Sequence, residues 1–139
     1  MTYDQNNIFA KIIRGEIPAL KVHEDSHGIA FMDIMPWSDG HTLVIPKAAA
    51  TGLFDVSPDV LAALIRQTQL VARAVNQAFK PDGLRLVQNN SAGAGQTVFH
   101  LHFHIVPCYD GVPLRLGEAV KADPVVLQEQ AQRIRSALA

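Results

Sequence analysis

The sequence predicts an α+β fold: a mainly antiparallel five-stranded sheet, one long helix crossing it, a short helix ahead of it and a further helix at the C-terminus. Three observations carry that prediction. Phe99, Leu101, Phe103 and Ile105 alternate with His100, His102 and His104, the period of two that marks a half-buried strand. Leu61, Leu64, Ile65, Val71, Ala72, Val75 and Phe79 recur at helical spacing and draw one apolar stripe along a long helix. The other strand-like runs are mostly joined by brief turns, which suit antiparallel neighbours.

Taken in order, Ile8 to Arg14 has the spacing of a short helix, with Asn6 or Asn7 as cap and Gly15 just past its end. Ile17-Pro18 stops it, because proline cannot continue the hydrogen-bond ladder. Leu20 to Glu24 and Ile29 to Ile34 form a hairpin around the turn residues Asp25-Ser26-His27-Gly28. Met35 to Gly40 is a loop, and His41 to Ile45 is a third strand ended by Pro46. Ser57 caps the long helix, Pro58 fits its first position, and Asp59 lies near its positive end. Lys80-Pro81-Asp82-Gly83 closes it at Phe79. Leu84 to Asn89 is the fourth strand, and Ser91-Ala92-Gly93-Ala94-Gly95 leads into the histidine strand as the fifth. Asp123-Pro124 opens the last helix, with Leu127, Ala131, Ile134 and Leu138 on one face. No repeat or long linker divides the chain. We therefore expect one domain over residues 1–139, with its core about 5–112 and a C-terminal extension about 113–139.

At 139 residues and 48 % apolar content, the chain is long enough to bury a continuous core. A formal net charge of −1 and no stripe of Lys and Arg argue against a dedicated nucleic-acid binder. The single cysteine, Cys108, excludes an internal disulfide and the usual multi-cysteine zinc sites, and suits a reducing compartment. The N-terminal residues have neither a basic nor an apolar leader pattern, and no run is long enough to span a bilayer. The expectation is a cytoplasmic protein with no membrane partner.

Three histidines on one strand face admit four readings. They can be structural, each ring satisfied by a local hydrogen bond. They can hold a metal, but a strand rises ~3.3 Å per residue, which sets the Cα atoms of His100 and His104 ~13 Å apart. With ligand bonds of ~2.1 Å, all three converge on one ion only if the strand bends sharply; two of them with His41 is the feasible set. They can belong to an anion-binding module without catalysis. Or they can act at phosphorus, since imidazole with an ordinary pKa near 6.5 is largely an unprotonated nucleophile at neutral pH. Neighbouring histidines then orient the ring and donate protons. The glycines of 91–95 add a backbone able to approach phosphate oxygens closely.

At this point the chain resembles the histidine triad (HIT) superfamily of nucleotide hydrolases and transferases. The family signature, three histidines alternating with apolar residues and followed by two more, is matched by His100-Leu101-His102-Phe103-His104-Ile105-Val106. The resemblance extends over Ile12 to Pro18, Ala30 to Ile34, Gly40 to Lys47 and Ala94 to Val98. It implies that His102 is the nucleophile at the α-phosphorus of a purine nucleotide, forming a nucleotidyl-histidine intermediate that water then releases. His104 and His41 would contact the phosphate and the imidazole network, and His100 would fix the ring of His102 through its own backbone carbonyl. Asp33 would accept the ribose hydroxyls, a role its acceptor-only oxygens suit. Ile8, Phe9, Phe31, Ile34 and Leu43 would form the base slot, and Asn89, Gly95, Gln96 and Thr97 the phosphate and leaving-group side. The resemblance further implies a HIT domain, a homodimer through the Pro58–Phe79 helix, and no cofactor. Many bacterial relatives carry a structural zinc, but its positions here are Asn7, Ala10, Ala49 and His100, so we expect no structural zinc. The N-terminal half looks like the nucleoside phosphoramidase branch, while Gly95 to Val98 and the chain beyond Pro107 are equally at home among dinucleoside polyphosphate hydrolases. The alternative is a non-catalytic purine-nucleotide-binding protein.

Overall fold

The computed structural model describes residues 2–116 and 120–139, so residues 117–119 of the expected extension lie outside it. Its elements are α1 (Ile8–Ile13), β1 (Lys21–Glu24), β2 (Gly28–Met32), β3 (Thr42–Pro46), α2 (Pro58–Phe79), β4 (Gly83–Val87), a 3-10 turn (Ala92–Ala94), β5 (Phe103–Cys108) and α3 (Pro124–Leu138). The strands make one sheet in the order β1-β2-β3-β5-β4, and every pairing is antiparallel.

Local chemistry sets the element ends. Asn7 Oδ1 accepts from the Ala10 N–H at 2.9 Å and starts α1, and Gly15, at φ +77°, turns the chain away after it. In the β1–β2 hairpin, Asp25 Oδ1 accepts from the N–H groups of both His27 and Gly28. Ser57 Oγ accepts from the Val60 N–H at the start of α2. At its far end Lys80 enters the left-handed region with φ 46° and returns its N–H to Asn76.

The two faces of the sheet have different covers. Ala30, Met32, Val44, Leu101 and Ile105 pack beneath α2 and α3, against Leu64, Val71, Val75, Leu127, Ala131 and Ile134. Ile29, Phe31, Leu43 and Ile45 face the other way, against Phe9 and Ile12 of α1. The central strands β2 and β3 are buried on both faces, which is why they read as continuous apolar runs. The short α1 covers only part of its face, and a cavity lies beside it.

The histidine strand begins later than the alternation suggests. Only Phe103 to Cys108 is in the ladder, so His104 is a strand residue while His100 and His102 precede it. The register Val44↔Phe103 and Leu43↔His104, carried two residues further, would oppose Pro46 to Leu101. Pro46 has no N–H to give, and its carbonyl accepts from His100 Nε2 at 2.8 Å instead. Leu101 turns its own N–H to Ala50 O at 2.8 Å. The segment before β5 is therefore held by side chains and loop contacts rather than by sheet pairing.

The C-terminal segment returns to its own domain. Ala122 donates to Ile34 O, and Arg115 donates its main-chain N–H to Trp37 O and its Nε to Pro36 O. On α3, Arg135 Nε reaches Lys21 O over the β1 edge. The opposite edge, β4, carries no such cover among the described residues, and its Leu86 is exposed. No helix among the described residues is long and apolar enough to cross a membrane.

Candidate active site

Where α1 leaves the sheet uncovered there is a cavity of about 200 Å³. Phe9, Phe31 and Leu43 form its apolar interior, Ile8 and Ile34 its exposed rim, and Asp33, Thr97, His102 and His104 its polar side. Nine of the residues singled out in the sequence thus meet in one place. The wider open groove between the end of α2 and α3 holds none of the histidines.

The hydrogen-bond partners of the four imidazoles fix their tautomers. His102 Nδ1 lies 2.7 Å from the His100 carbonyl. A carbonyl can only accept, so Nδ1 carries the hydrogen and the Nε2 lone pair stays free. Burial holds the His102 pKa below its ordinary value, opposed by this bond. His100, fully buried, donates from Nε2 to Pro46 O and accepts on Nδ1 from the Tyr3 hydroxyl at 2.6 Å. Neither of its ring nitrogens is left for a metal or a substrate, and burial lowers its pKa as well.

A second chain of bonds runs through His41. The Trp37 N–H donates to His41 Nδ1 at 2.9 Å, so a neutral His41 carries its hydrogen on Nε2. That hydrogen goes to His104 Nδ1 at 3.0 Å, leaving His104 with an Nε2–H that has no partner among the described residues. Burial, reinforced by the neighbouring imidazoles, lowers the pKa of both His41 and His104 to about 3, so both are neutral at pH 7. Asp33 Oδ2, 3.5 Å from His41 Nε2, therefore faces a dipole rather than a cation. Burial raises the Asp33 carboxyl to about 6, partly offset by the Met35 N–H it accepts.

Asp33, His41 and His104 place one donor atom each within 4.8 Å of one another, a separation that a divalent ion could bridge. The tautomers oppose it. A ligating histidine turns its other N–H to an acceptor, whereas His41 Nδ1 faces the N–H of Trp37. Binding through Nε2 would set two hydrogens against each other. These residues fit a proton-ordered network better than a metal centre.

The glycine-rich turn has an unexpected construction. The N–H groups of Ala94, Gly95 and Gln96 are already spent on Ser91 O, Ala92 O and Ser91 O. Gln96 is buried with its amide committed: Oε1 accepts from Ser91 N, and Nε2 donates to Thr51 O and Val98 O. The N–H groups of Thr97 and Val98, which both line the cavity, have no acceptor among the described residues. The open donors that line the cavity thus lie just after the glycine-rich turn. Asn89 and Gly95 sit beside each other outside the cavity lining, and Gln96, His100 and His41 also lie outside it.

Sequence reasoning missed Tyr3, Trp37, Val98, Ile12 and the wall Ile17-Pro18-Ala19. Ile12, one turn beyond Ile8, and Val98, the residue after Thr97, carried a readable signal. Trp37 lay in a stretch read only as loop; its indole stacks on His104 with centroids 4.5 Å apart and planes at 17°. The wall 17–19 carried none, since its place depends on how the chain leaves α1.

Comparison with known proteins agrees with this architecture. The profile of the HIT domain matches residues 14–111. The crystal structure of a HIT-like protein from Bartonella henselae, solved with an unknown ligand, superposes with a TM-score of 0.91 at 48 % identity, covering 98 % of this chain and 99 % of that one. A hypothetical histidine triad nucleotide-binding protein of Sulfolobus tokodaii superposes with a TM-score of 0.85 at 34 % identity over 94 % of this chain and 90 % of its own. The adenylylsulfatase HINT3 of Arabidopsis thaliana is 36 % identical over 135 residues, 97 % of this chain and 68 % of the relative. The chain belongs to the HIT family.

Proposed function

We propose that the protein hydrolyses a purine nucleotide at its α-phosphate through a nucleotidyl-histidine intermediate on His102. The observation that carries this reading is the free Nε2 lone pair of His102, left by the 2.7 Å bond from Nδ1 to the His100 carbonyl and presented to the cavity that also holds Asp33. That lone pair forms a bond to phosphorus while the bond to the leaving group breaks, and the leaving group departs with its electron pair. The substituted ring is then a cation, and the His100 carbonyl stabilises it through Nδ1–H. His104 Nε2–H and the open N–H groups of Thr97 and Val98 donate to phosphate oxygens. Water next attacks the same phosphorus and gives up a proton to solvent, the P–N bond breaks back onto His102, and the nucleoside monophosphate leaves.

Asp33 accepts the ribose hydroxyls, and the base lies between Phe9, Phe31 and Leu43 with Ile8 and Ile34 at the rim. Gln96 serves this site by bracing the glycine turn. The substrate class is a purine nucleoside phosphoramidate, a dinucleoside polyphosphate or, following the adenylylsulfatase relative, an adenylyl sulfate. We also propose a homodimer in which the uncovered β4 edge and the neighbouring exposed face of α2, with Ile65 and Leu86, meet a second copy. The test compares turnover of adenosine phosphoramidate, adenylyl sulfate and diadenosine polyphosphates by the wild type and His102→Ala. Turnover of at least one, lost by a factor of ~10³ or more in the variant, is expected. Nucleotide binding without turnover would favour a non-catalytic binding protein.

A further inference from the structure

We propose that Trp37 is a positioning residue for His104. Its main-chain N–H and its indole together hold the His41–His104 pair in the arrangement that leaves His104 Nε2–H open to a ligand. The inference rests on the reading of His104 as a donor to phosphate.

Two independent contacts support it. The main-chain N–H, 2.9 Å from His41 Nδ1, sets the direction of every hydrogen in the chain Trp37 to His41 to His104. The indole lies nearly parallel to the His104 ring, at 17° with centroids 4.5 Å apart, and also leans on His41 at 4.7 Å. The second contact answers a problem that the first leaves open. The ring torsion of histidine is broad and roughly two-fold. A half-turn of His104 would set a carbon against His41 Nε2 and lose the 3.0 Å bond. An aromatic plane stacked on the imidazole must be displaced before the ring can turn, whereas an aliphatic side chain of similar bulk offers no flat face.

The loop is itself fixed, so the plane has something to rest on. Arg115 N donates to Trp37 O at 2.9 Å, Arg115 Nε to Pro36 O at 3.2 Å, and Ser38 Oγ to Pro107 O at 2.6 Å. Arg115 belongs to the segment after the HIT profile, which ends at residue 111. The C-terminal extension thereby takes part in aligning the site.

Trp37→Phe and Trp37→Leu separate stacking from mere filling of space. Long-range proton–nitrogen NMR of the histidine rings at pH 7 reads the tautomer of His104 directly, alongside kcat and KM for adenosine phosphoramidate. In the wild type and Trp37→Phe, His104 is expected as the Nε2–H tautomer alone. In Trp37→Leu it is expected to average between tautomers, with kcat lowered about tenfold and KM changed far less. A Trp37→Leu chain with the wild-type spectrum and kcat would overturn the proposal. Should that variant fail to fold, the chain's single tryptophan gives a second reading in His104→Ala. Its emission should shift as water reaches the vacated indole face, and an unchanged spectrum would refute the stack. The tautomer is read without turnover, so a protein that hydrolyses nothing defeats the reaction proposed above while the spectra still decide this one.

Discussion

Burial lowers the pKa of every imidazole of the site, and His41, His100 and His102 are each aimed by a backbone group that can only donate or only accept. Neutrality has a thermodynamic consequence. His41 and His104 titrate at about 3 when folded and near 6.5 when unfolded. Below pH 6.5 the unfolded chain therefore binds protons that the folded one refuses, and stability falls as pH falls. At pH 5 each of the two forfeits about 2 kcal/mol. His100 and His102 are shifted the same way. Asp33, raised to about 6, works oppositely: the folded chain takes up its proton first, returning about 1 kcal/mol at pH 5. The histidines win, and calorimetry from pH 8 to pH 5 should show Tm falling by several degrees; a level or rising Tm would contradict the buried neutral set. For activity, Asp33 loses its charge as pH drops through about 6, so KM should rise there. Asp33→Asn should raise KM about tenfold or more at pH 7.5 and abolish that rise, since a charged hydrogen bond to a hydroxyl contributes roughly 1.5–3 kcal/mol. A KM indifferent to the substitution would rule out the proposed contact between Asp33 and the ribose.

At the scale of elements, the glycine turn is braced from inside by Gln96, whose amide joins Ser91, Thr51 and Val98. Gln96→Ala removes three part-buried hydrogen bonds, so stability should fall by about 1–2 kcal/mol and kcat/KM should fall with it as Thr97 and Val98 lose their place. Denaturant unfolding with parallel kinetics checks both; full activity in a destabilised variant would separate the brace from the site. Much of this scale was legible in the sequence. The cap Ser57, Pro58 and the closing run Lys80-Pro81-Asp82-Gly83 mark α2 at its observed bounds, Pro58–Phe79. The hairpin followed from Asp25 to Gly28. The start of β5 was not legible, because alternation at His100 and His102 reports which residues are buried and not whether a neighbouring strand has an N–H to pair with. Pro46 decides that, from more than fifty residues away. The four triad-related histidines and Asp33 could be named in the sequence, whereas Tyr3 and Trp37 act through contacts that no spacing along the chain reveals.

For the whole molecule, one face of the sheet is committed to α2 and α3 and the other divided between α1 and the cavity, so a rigid double-sided core presents the histidines. The C-terminal segment packs on its own domain and braces the loop carrying Trp37, which leaves β4 as the uncovered edge. If a second copy meets that edge, Leu86→Lys combined with Ile65→Glu should convert a dimer to monomers in sedimentation equilibrium; a wild-type monomer, or a dimer untouched by both changes, would rule this interface out. The central claim is covalent chemistry at one ring nitrogen, and mass spectrometry of protein quenched during turnover of adenosine phosphoramidate tests it most directly. An adenylyl group on the peptide containing His102, absent in His102→Ala, is the predicted result. Turnover with no adduct under rapid quench, or an adduct on another residue, would contradict it.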